Sequence, residues 1–382
     1  MYKRQFLDNA STTKLCETAK NTLLEEADNF YNASASYSVA LENKKKIDNA
    51  KKDICSCLHI DYKENLIFTA SATEANNLAI FGSAKKGDEQ YVFSSGEHLC
   101  VYNCAEELKN RGYNVKFVPL TDEGVVDLDA LKSILEAPTA FLSCIHVSNE
   151  TGAINDIQKI GEILKSKWKN AIFHCDGVQA FGKIDVNLSA LKNVDLYTIS
   201  AHKIGGPKGI GALFVRNKAK LKPYVFGGGQ EYGLRSGTEN LQSIMAFAAT
   251  SKQKFKDISQ NYEYVLNLNK HFIGEIQKFK DDRIKINSKN GSPYIISLSF
   301  PGVKGETLVR MCDDDGLLVG TGSACSSKKA ALNRILLAMN KSKPEIEGAI
   351  RISFSKDNTL EEVELAAKIL VENYHKLVSM LS

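Results

Sequence analysis

The feature that most constrains the fold of this chain is an alternation of strand-like and helical segments between Asn65 and Val215. Each strand-like run is short, rich in β-branched and aromatic residues, and followed by turn-forming residues. The predicted strands cover residues 66–69, 90–94, 115–118, 140–147, 171–174, 194–199 and 212–215. Strands that alternate with helices form a mostly parallel, doubly wound sheet, so the sequence predicts an α/β fold.

The length of 382 residues predicts two domains, because a single hydrophobic core seldom grows beyond about 250 to 300 residues. A long helical segment is predicted from about 251 to 280. Beyond it the predicted order is strand 294–300, helix 306–314, strand 317–320, helix 330–339, strand 350–354 and a last helix that begins with a capping box of Thr359 and Glu362. We therefore predict a large cofactor-binding domain over 15–254. A smaller α+β domain would combine 1–14 with 255–382.

Composition excludes several classes of protein. The formal net charge of +4 comes from dispersed lysines, which together with the lack of a recognisable motif argues against a nucleic-acid partner. No apolar run approaches the roughly 18 residues that a membrane span needs, so no membrane contact is expected. The nine cysteines show no disulfide spacing and fit the reducing cytoplasm. Cys55 and Cys57 lack a second pair at zinc spacing, so no metal site is predicted.

Ligands of doubly wound sheets bind beyond the carboxyl ends of the strands, so the residues that follow each predicted strand are candidates for the site. These candidates are Ala72 and Thr73, His98, Asn149, Asp176 with Gln179, and Lys203. Each has an ordinary structural explanation as a helix cap, a turn residue or a surface residue. Together they match pyridoxal 5′-phosphate, which needs an amine for its Schiff base, a carboxylate at its pyridine nitrogen, an amide, a stacked imidazole and a phosphate cradle.

Lys203 follows the predicted strand 194–199 and precedes a glycine-rich loop. Schiff-base formation requires a neutral amine, but an unperturbed lysine pKa of roughly 10.4 leaves about one molecule in 2000 neutral at pH 7. Burial or a neighbouring cation therefore has to depress the pKa. The alternative, an ordinary surface lysine, becomes less attractive because the other strand ends carry the matching groups.

A second stretch that predicts chemistry is VGTGSACSS, residues 319–327, which places Cys325 on an expected exposed loop. A thiol with a pKa near 8.5 is only about 3% thiolate at pH 7, yet it is still the best nucleophile among side chains. Arg351 lies in the otherwise apolar run AIRIS, where an arginine needs an anionic partner. A substrate carboxylate is the expected partner.

Seven motifs occur in order along the chain: FTASATEANNLAI, SSGEH, HVSNETG, HCDGVQAFGK, SAHKIGGPKGIGAL, GGGQEYGLRSGTEN and TGSAC. They resemble the NifS/IscS-like cysteine desulfurases of group I, which are class V aminotransferase-like, fold type I pyridoxal-phosphate enzymes. The resemblance covers nearly the whole chain. The Ser-Ala-Cys context is similar to that of group I and differs from that of group II.

The resemblance implies a role for each matching residue. Lys203 would form the Schiff base, Asp176 would hold the pyridine nitrogen, and Cys325 would accept sulfur. His98 would stack on the cofactor ring, and His98 also counts as catalytic. The implied cofactor contacts are Ala72, Thr73, His98, Asn149, Asp176, Gln179, Ser200, His202, Lys203 and, from a neighbouring subunit, Thr238. The implied contacts of the substrate carboxylate are Asn149 and Arg351.

The resemblance also implies the reaction and the partners. L-cysteine would give L-alanine and a persulfide on Cys325, in a homodimeric sulfurtransferase that passes sulfur to an iron–sulfur scaffold or to a tRNA-thiolation relay. Cys325 would contact iron–sulfur species only transiently. A selenocysteine lyase or another class V enzyme would share Lys203 and Asp176 without requiring Cys325, and a non-catalytic adaptor would have lost the cofactor set, which is complete here.

Three departures from the family pattern concern local sequence. Tyr37 stands where a histidine is usual, and Ala33 replaces a proline. Gly177 replaces the usual alanine beside Asp176, and two lysines, Lys328 and Lys329, make the segment after Cys325 unusually basic. The departures at Tyr37 and after Cys325 concern the choice of sulfur acceptor more than the chemistry.

Overall fold

The structure is a computed structural model that describes residues 4–61, 65–321 and 333–381. Its strands are β1 Gln5–Phe6, β2 Leu66–Thr69, β3 Gln90–Ser94, β4 Asn114–Val118, β5 Thr139–Ile145, β6 Ile172–Asp176, β7 Leu196–Ser200, β8 Gly211–Val215, β9 Lys285–Ile286, β10 Ile295–Ser299, β11 Leu317–Leu318 and β12 Ala349–Ser353. Its α-helices are α1 Glu17–Glu25, α2 Ser38–Cys57, α3 Ala72–Ser83, α4 Leu99–Asn110, α5 Leu128–Ile134, α6 Ile157–Lys167, α7 Leu241–Lys256, α8 Ile258–Lys278, α9 Gly305–Asp314, α10 Arg334–Ala338, α11 Lys343–Glu347 and α12 Leu360–Leu381.

The central sheet has the strand order β2-β8-β7-β6-β5-β3-β4. All neighbours pair in parallel except β8, which is antiparallel to both β2 and β7. The reversal of β8 follows from its short connection to β7, since a parallel pair needs a long crossover and residues 201–210 are too few to form one. The α/β fold with a mostly parallel sheet, predicted from the sequence, is confirmed.

Both faces of this sheet are buried, as a doubly wound fold requires. Val92 of β3 belongs to a hydrophobic cluster that includes Ile160 of α6 and Phe247 of α7. The next residue, Phe93, points to the opposite face and joins Leu78 of α3 in a separate cluster. Because β2, β3, β5, β6 and β7 all run in the same direction, their carboxyl ends meet along one edge.

A third hydrophobic cluster lies in the C-terminal part of the chain and includes Phe272 of α8 and Leu370 of α12. Beside it, β12, β10 and β9 form an antiparallel sheet. The segment before α1, residues 4–14, is called the N-terminal arm here and joins this cluster through Leu7 and Ala10. In addition, β1 pairs in parallel with β11. The division into domains over 15–254 and over 1–14 with 255–382 stays a prediction.

The long helix predicted from 251 to 280 is wrong, because the structure contains two helices there. The break is at Asp257, whose φ of −112° and ψ of 17° lie outside the helical region. Before it, α7 packs into the large cluster through Phe247, and after it α8 packs into the C-terminal cluster through Phe272. The sequence KFKDISQ has no glycine or proline to mark the point where the chain passes from one hydrophobic cluster to the other.

Several short elements near the C-terminus were not predicted, among them β9 and α11, which are too short to show a hydrophobic period. The capping box before α12 is confirmed. The Glu362 amide donates to Thr359 Oγ1 at 3.2 Å, and the Thr359 amide donates to the Glu362 carboxylate at 3.3 Å. Over the residues that the structure describes, no helix combines the length and the apolar character needed to cross a membrane.

Candidate functional site

A cavity of about 560 Å³ opens at the edge of the central sheet where the parallel strands end. Residues of the N-terminal arm and of β12 close its other side. The structure brings most of the predicted site residues to its walls. Those that line it are Ala72, Thr73, His98, Asn149, Asp176, Gln179, His202, Lys203 and Arg351.

Two described residues of the predicted site, Ser200 and Thr238, are not among the residues that line this cavity. Ser200 is buried at the end of β7, and Thr238 is exposed on the loop that precedes α7. Cys325 lies outside the described residues, as do Lys328 and Lys329. The roles of all the site residues, including those on the cavity walls, stay predictions.

The Lys203 amine is held by the N-terminal arm. Lys203 is the last residue of a single 3₁₀ turn that directly follows β7. Its Nζ donates to the carbonyl oxygens of Ala10 at 2.7 Å and Ser11 at 2.6 Å. The arm thus positions the amine at the cavity, although Ser11 and Lys203 are 192 positions apart in the sequence.

Asp176 ends β6 and is almost fully buried. Its Oδ1 accepts the Val178 amide at 3.0 Å, and its Oδ2 accepts Nδ2 of Asn76 at 2.8 Å. Asn76 was missed by the sequence analysis. Its sequence signal was a buried amide within the apolar helix ATEANNLAIFGS, since a polar side chain in the core needs a partner. Two donors on one carboxylate hold it in place at the cavity.

His98 is the N-cap residue of α4. Its Nδ1 accepts the amide of Cys100 at 3.2 Å and lies 3.0 Å from the Cys100 sulfur. Because Nδ1 is the acceptor, the hydrogen of the neutral ring sits on Nε2. Burial lowers the pKa of His98, and the positive charge of Lys203 lowers it further, against the opposing effect of Asp176. The imidazole is therefore neutral near pH 7.

The N-terminus of α3 faces the cavity with Ala72 and Thr73, the first two residues of the helix. Ser71 caps it by accepting the Glu74 amide at 3.1 Å. Gly211 lets β8 approach closely, because a Cβ atom there would lie 2.8 Å from the Ala72 nitrogen. A helix of twelve residues that presents free amides and a hydroxyl is suited to a phosphate group.

His202 lines the same cavity as Ala72 and Thr73. It also contacts the N-terminal arm, with its Nδ1 3.1 Å from Oγ1 of Thr12. Burial, together with the charges of Lys203 and Lys208, lowers the pKa of His202 to about 4. A neutral ring at pH 7 would contact a phosphate through a hydrogen bond rather than through charge.

Arg351 reaches the cavity from β12, and the structure gives it protein partners. Its guanidinium donates to Asp8 Oδ1 at 2.8 Å and to the Asn149 carbonyl oxygen at 2.9 Å, and it lies 3.5 Å from Oε1 of Glu150. The expectation that this arginine meets an anion is met by Asp8. A substrate carboxylate is therefore not needed to explain its position.

Two further carboxyl groups at the cavity, the buried Glu97 and the largely buried Glu150, were also missed. Burial, with the charge of Asp176, raises the pKa of Glu97 to about 8, and burial raises that of Glu150 to about 7. Glu97 accepts the Ser143 hydroxyl at 2.9 Å through Oε1. Glu97 is fully buried, so it is mainly protonated near neutral pH. Its only sequence signal was its place directly before His98.

The backbone before His98 is fixed by Arg334, the first residue of α10. Its guanidinium donates short hydrogen bonds to the carbonyl oxygens of Ser95 and Glu97. The same guanidinium lies 4.1 Å from the ring centroid of Tyr102. Arg334 therefore connects the C-terminal part of the chain to the loop that carries His98.

The glycine at position 177 has a direct structural reason. A Cβ atom there would lie 2.0 Å from Cε1 of Tyr197, so the tyrosine ring occupies the space of an alanine methyl group. The Tyr197 hydroxyl lies 2.8 Å from Nδ1 of His146, which fixes the ring. This departure from the family pattern therefore reflects packing behind Asp176.

The residues present fit pyridoxal phosphate. The cavity volume lies in the usual range of about 300 to 1,000 Å³ for small-molecule sites. The donor set combines an amine, a doubly hydrogen-bonded carboxylate, a neutral imidazole and a helix N-terminus, all on its walls. Within residues 4–61, 65–321 and 333–381, no group of three or more His, Cys, Asp or Glu side chains could hold a metal ion.

Comparisons with known proteins agree with this chemistry. The family described as Aminotransferase class-V matches residues 5–365. The chain is 32% identical to Cysteine desulfurase IscS of Clostridium botulinum, over 97% of this chain and 94% of that protein. It is also 32% identical to Cysteine desulfurase IscS 1 of Archaeoglobus fulgidus, over 98% of both.

Solved structures show the same relationship. A NifS-like protein superposes with a TM-score of 0.90 at 29% identity, covering 97% of this chain and 98% of that one. A NifS-like protein from Rickettsia africae superposes with a TM-score of 0.87 at 31% identity, covering 97% and 99%. The chain therefore belongs to the class V aminotransferase family and, within it, to the IscS- and NifS-like cysteine desulfurases.

Proposed function

We propose that this cysteine desulfurase binds pyridoxal 5′-phosphate in the cavity at the sheet edge and converts L-cysteine to L-alanine, leaving a persulfide on Cys325. The observation that carries the proposal is the convergence of Lys203, Asp176 and His98 on one cavity. The three come from separate strand ends, and their chemistry is complementary.

When bound, pyridoxal phosphate supplies an electron sink that stabilises the charge left on a substrate carbon after loss of a proton. Lys203 would hold the aldehyde carbon, Asp176 the pyridine nitrogen and Gln179 the phenolic oxygen. His98 would stack on the ring. The phosphate would meet Ala72 and Thr73 at the start of α3, with Ser200 and His202 beside it.

The chain's own residues then act on protons and on the substrate. Asp176, held by two donors, would accept the hydrogen of the ring nitrogen and so keep it in place. Once Lys203 leaves the Ala10 and Ser11 carbonyls, its amine is free to take the α-proton of L-cysteine. His98 presents a neutral ring with its hydrogen on Nε2, so it serves as a donor in the same cavity.

Arg351 and Asn149 would bind the substrate carboxylate. A guanidinium has five N–H groups, so Arg351 can keep its bond to Asp8 and still offer a hydrogen to the substrate. Asn149 donates to Glu150 through Nδ2 at 2.9 Å, and its Oδ1 is buried without a partner among the residues described. An amide oxygen only accepts, so the donor to the substrate carboxylate would be the second hydrogen on Nδ2 of Asn149.

Cys325 would accept the sulfur. Its thiolate attacks the substrate sulfur, so that an S–S bond forms as the C–S bond breaks. The carbon keeps the electron pair and takes up a proton, which gives L-alanine. The persulfide then passes to an acceptor, for which we propose an iron–sulfur scaffold or a tRNA-thiolation relay in the cytoplasm. The eight described cysteines form no disulfide with one another, as a reducing compartment favours.

We propose that the enzyme is a homodimer in which Thr238 completes the phosphate site of the neighbouring subunit. Thr238 is exposed on a loop that is anchored in its own subunit. Arg235 of this loop donates to Glu74 of α3 at 2.7 Å, and Glu231 accepts from the buried Lys51 at 2.6 Å. A fixed loop with an exposed hydroxyl is suited to contact a second copy.

One experiment tests the proposed function. The purified protein should show an absorbance band of bound pyridoxal phosphate in the visible or near-ultraviolet range, and L-cysteine should yield equal amounts of L-alanine and transferred sulfur. L-serine, which lacks the sulfur, is the matched control and should yield neither. Alanine formed from selenocysteine but not from cysteine would contradict the proposal.

A further inference from the structure

Lys183 is a buried lysine beside the candidate site, four residues after Gln179. Only 5% of its surface is exposed. Its Nζ lies 2.5 Å from Oε1 of Gln179 and 5.8 Å from the ring centroid of Tyr294. It forms no ion pair with any residue in the part of the chain that the structure describes. Burial and the charge of Lys203 lower the pKa of Lys183 to about 7. Burying an amine that can carry a charge costs free energy, so a role for Lys183 at the site is expected.

The contacts of Lys183 fix the orientation of the Gln179 amide. A carbonyl oxygen only accepts, so the Ala10 oxygen, 2.9 Å away, must face Nε2 of Gln179. Nζ of Lys183 carries hydrogens to donate whether it is charged or neutral, and it donates to Oε1. The two constraints lie at opposite ends of the amide and agree. Lys183 is the donor to this oxygen among the described residues.

With this orientation, the second hydrogen on Nε2 of Gln179 remains available, and Gln179 lines the cavity. We propose that Lys183 is a positioning residue that keeps the amide hydrogen of Gln179 directed to the phenolic oxygen of pyridoxal phosphate. This inference rests on the proposed function, because it requires that cofactor in the cavity.

The same contacts connect Lys183 to Lys203. The Ala10 carbonyl oxygen accepts both from Nε2 of Gln179 and from Nζ of Lys203, which is 2.7 Å away. Lys183 and Lys203 also line a second cavity, of about 380 Å³, together with Lys254. Lys254 donates no hydrogen bond to Gln179 in the described part of the chain. Substituting Lys254 therefore removes a nearby charge without removing a hydrogen bond to Gln179.

The test is a pH titration of the absorbance of bound pyridoxal phosphate, without substrate. In Lys183→Met the amide loses its fixed orientation, and the phenolic oxygen keeps more negative charge. That charge holds the proton on the adjoining Lys203 nitrogen more tightly. The apparent pKa of the chromophore should rise by about one pH unit, a tenfold change in proton affinity. Lys183→Arg, which keeps a donor, should restore most of the wild-type value.

Two further variants make the result specific. Gln179→Ala should raise the apparent pKa as Lys183→Met does, and the double variant should show no further rise, because the two residues act in series. Lys254→Met, the matched control, should leave the value unchanged. Circular dichroism would confirm that each variant is folded.

The outcomes separate the inference from the proposed function. An unshifted titration in Lys183→Met, additive shifts in the double variant, or an equal shift in Lys254→Met would each overturn the positioning role. A wild-type protein that binds no pyridoxal phosphate would overturn the proposed function and this inference with it.

Discussion

The cofactor end and the substrate end of the cavity are built in different ways. At the cofactor end, Asp176 ends β6 and Lys203 ends the 3₁₀ turn that follows β7, and both strands belong to one sheet. At the substrate end, Arg351 comes from β12, Asn149 from the turn after β5, and Asp8 from the N-terminal arm. The first group is assembled by the topology of one sheet, whereas the second is assembled by contacts between distant parts of the chain.

This difference has a consequence for electrostatics. At the cofactor end, Asp176 accepts hydrogen bonds from uncharged donors, the Val178 amide and Nδ2 of Asn76. Substrate-end groups already neutralise one another, since Arg351 pairs with Asp8 and lies near Glu150. A substitution at the cofactor end should therefore abolish chemistry, whereas one at the substrate end should change affinity.

The largest effect is expected at Lys203. Lys203→Ala removes the amine that binds the cofactor and moves the α-proton, so alanine formation should fall at least about a thousandfold. The measurement is alanine released from L-cysteine. Lys208→Ala changes an exposed lysine of the same loop and should keep normal turnover. Wild-type turnover by Lys203→Ala would show that the lysine has been misassigned.

The next effect is expected at Cys325. Cys325→Ser replaces the thiol by a hydroxyl that scarcely ionises, so alanine formation should fall at least about a hundredfold, or roughly 2.7 kcal/mol of barrier. The absorbance should still change on addition of L-cysteine, because the cofactor end is intact. Mass spectrometry should find the added sulfur of the wild type on the Cys325 peptide.

The matched control for that variant is Cys16→Ser, which changes a partly exposed thiol at the start of α1. It should still form the persulfide on Cys325. Sulfur found instead on the peptide of Cys16, or of any other cysteine, would refute the assignment of the acceptor.

A smaller effect is expected at the substrate end. Arg351→Ala should weaken the apparent affinity for L-cysteine by about 2 kcal/mol, near thirtyfold, with a smaller change in kcat. The estimate is at the lower end for a charged pair because Asp8 already uses part of the guanidinium. Steady-state kinetics would give KM and kcat separately.

Asp8→Asn sharpens this prediction because it removes the competing charge and leaves the arginine in place. Its KM for L-cysteine should not rise above that of the wild type. If Arg351→Ala leaves KM unchanged while both variants lose thermal stability, Arg351 belongs to a structural ion pair and does not bind the substrate.

The smallest effect concerns stability and the buried Glu97. Its pKa is raised to about 8 in the folded protein, so the folded state holds a proton that the unfolded state releases above about pH 4.5. Stability from this group is full below the unfolded pKa and is lost as the pH rises towards 8. Glu97→Gln should therefore flatten the pH dependence of unfolding over this range, by about 1 kcal/mol or more.

Urea unfolding of wild type and Glu97→Gln at pH 5 and pH 8 would measure the difference. Glu123→Gln, which changes a side chain near the surface loop of Lys289, provides the control and should follow the wild type. Parallel curves for the wild type and Glu97→Gln would mean that Glu97 is ionised in the folded protein.

The sequence by itself determined the α/β fold, the family and most of the cofactor end. A parallel strand and the residue after it are adjacent in the chain, so the local pattern places Asp176 and Lys203 at the same edge of the sheet. The helix break at Asp257 escaped this reasoning although the predicted domain boundary lies close to it, since no glycine or proline in the local sequence marks the end of α7.

Only the tertiary structure decided the partners of the buried polar groups. Asp8 and Arg351 are separated by 343 positions, and Asn76 and Asp176 by 100. Such pairs leave no periodic signal in the sequence, because each residue meets its partner only after the sheet and the arm have packed. The orientation of the Gln179 amide was decided in the same way, by a lysine on one side and a carbonyl of the arm on the other.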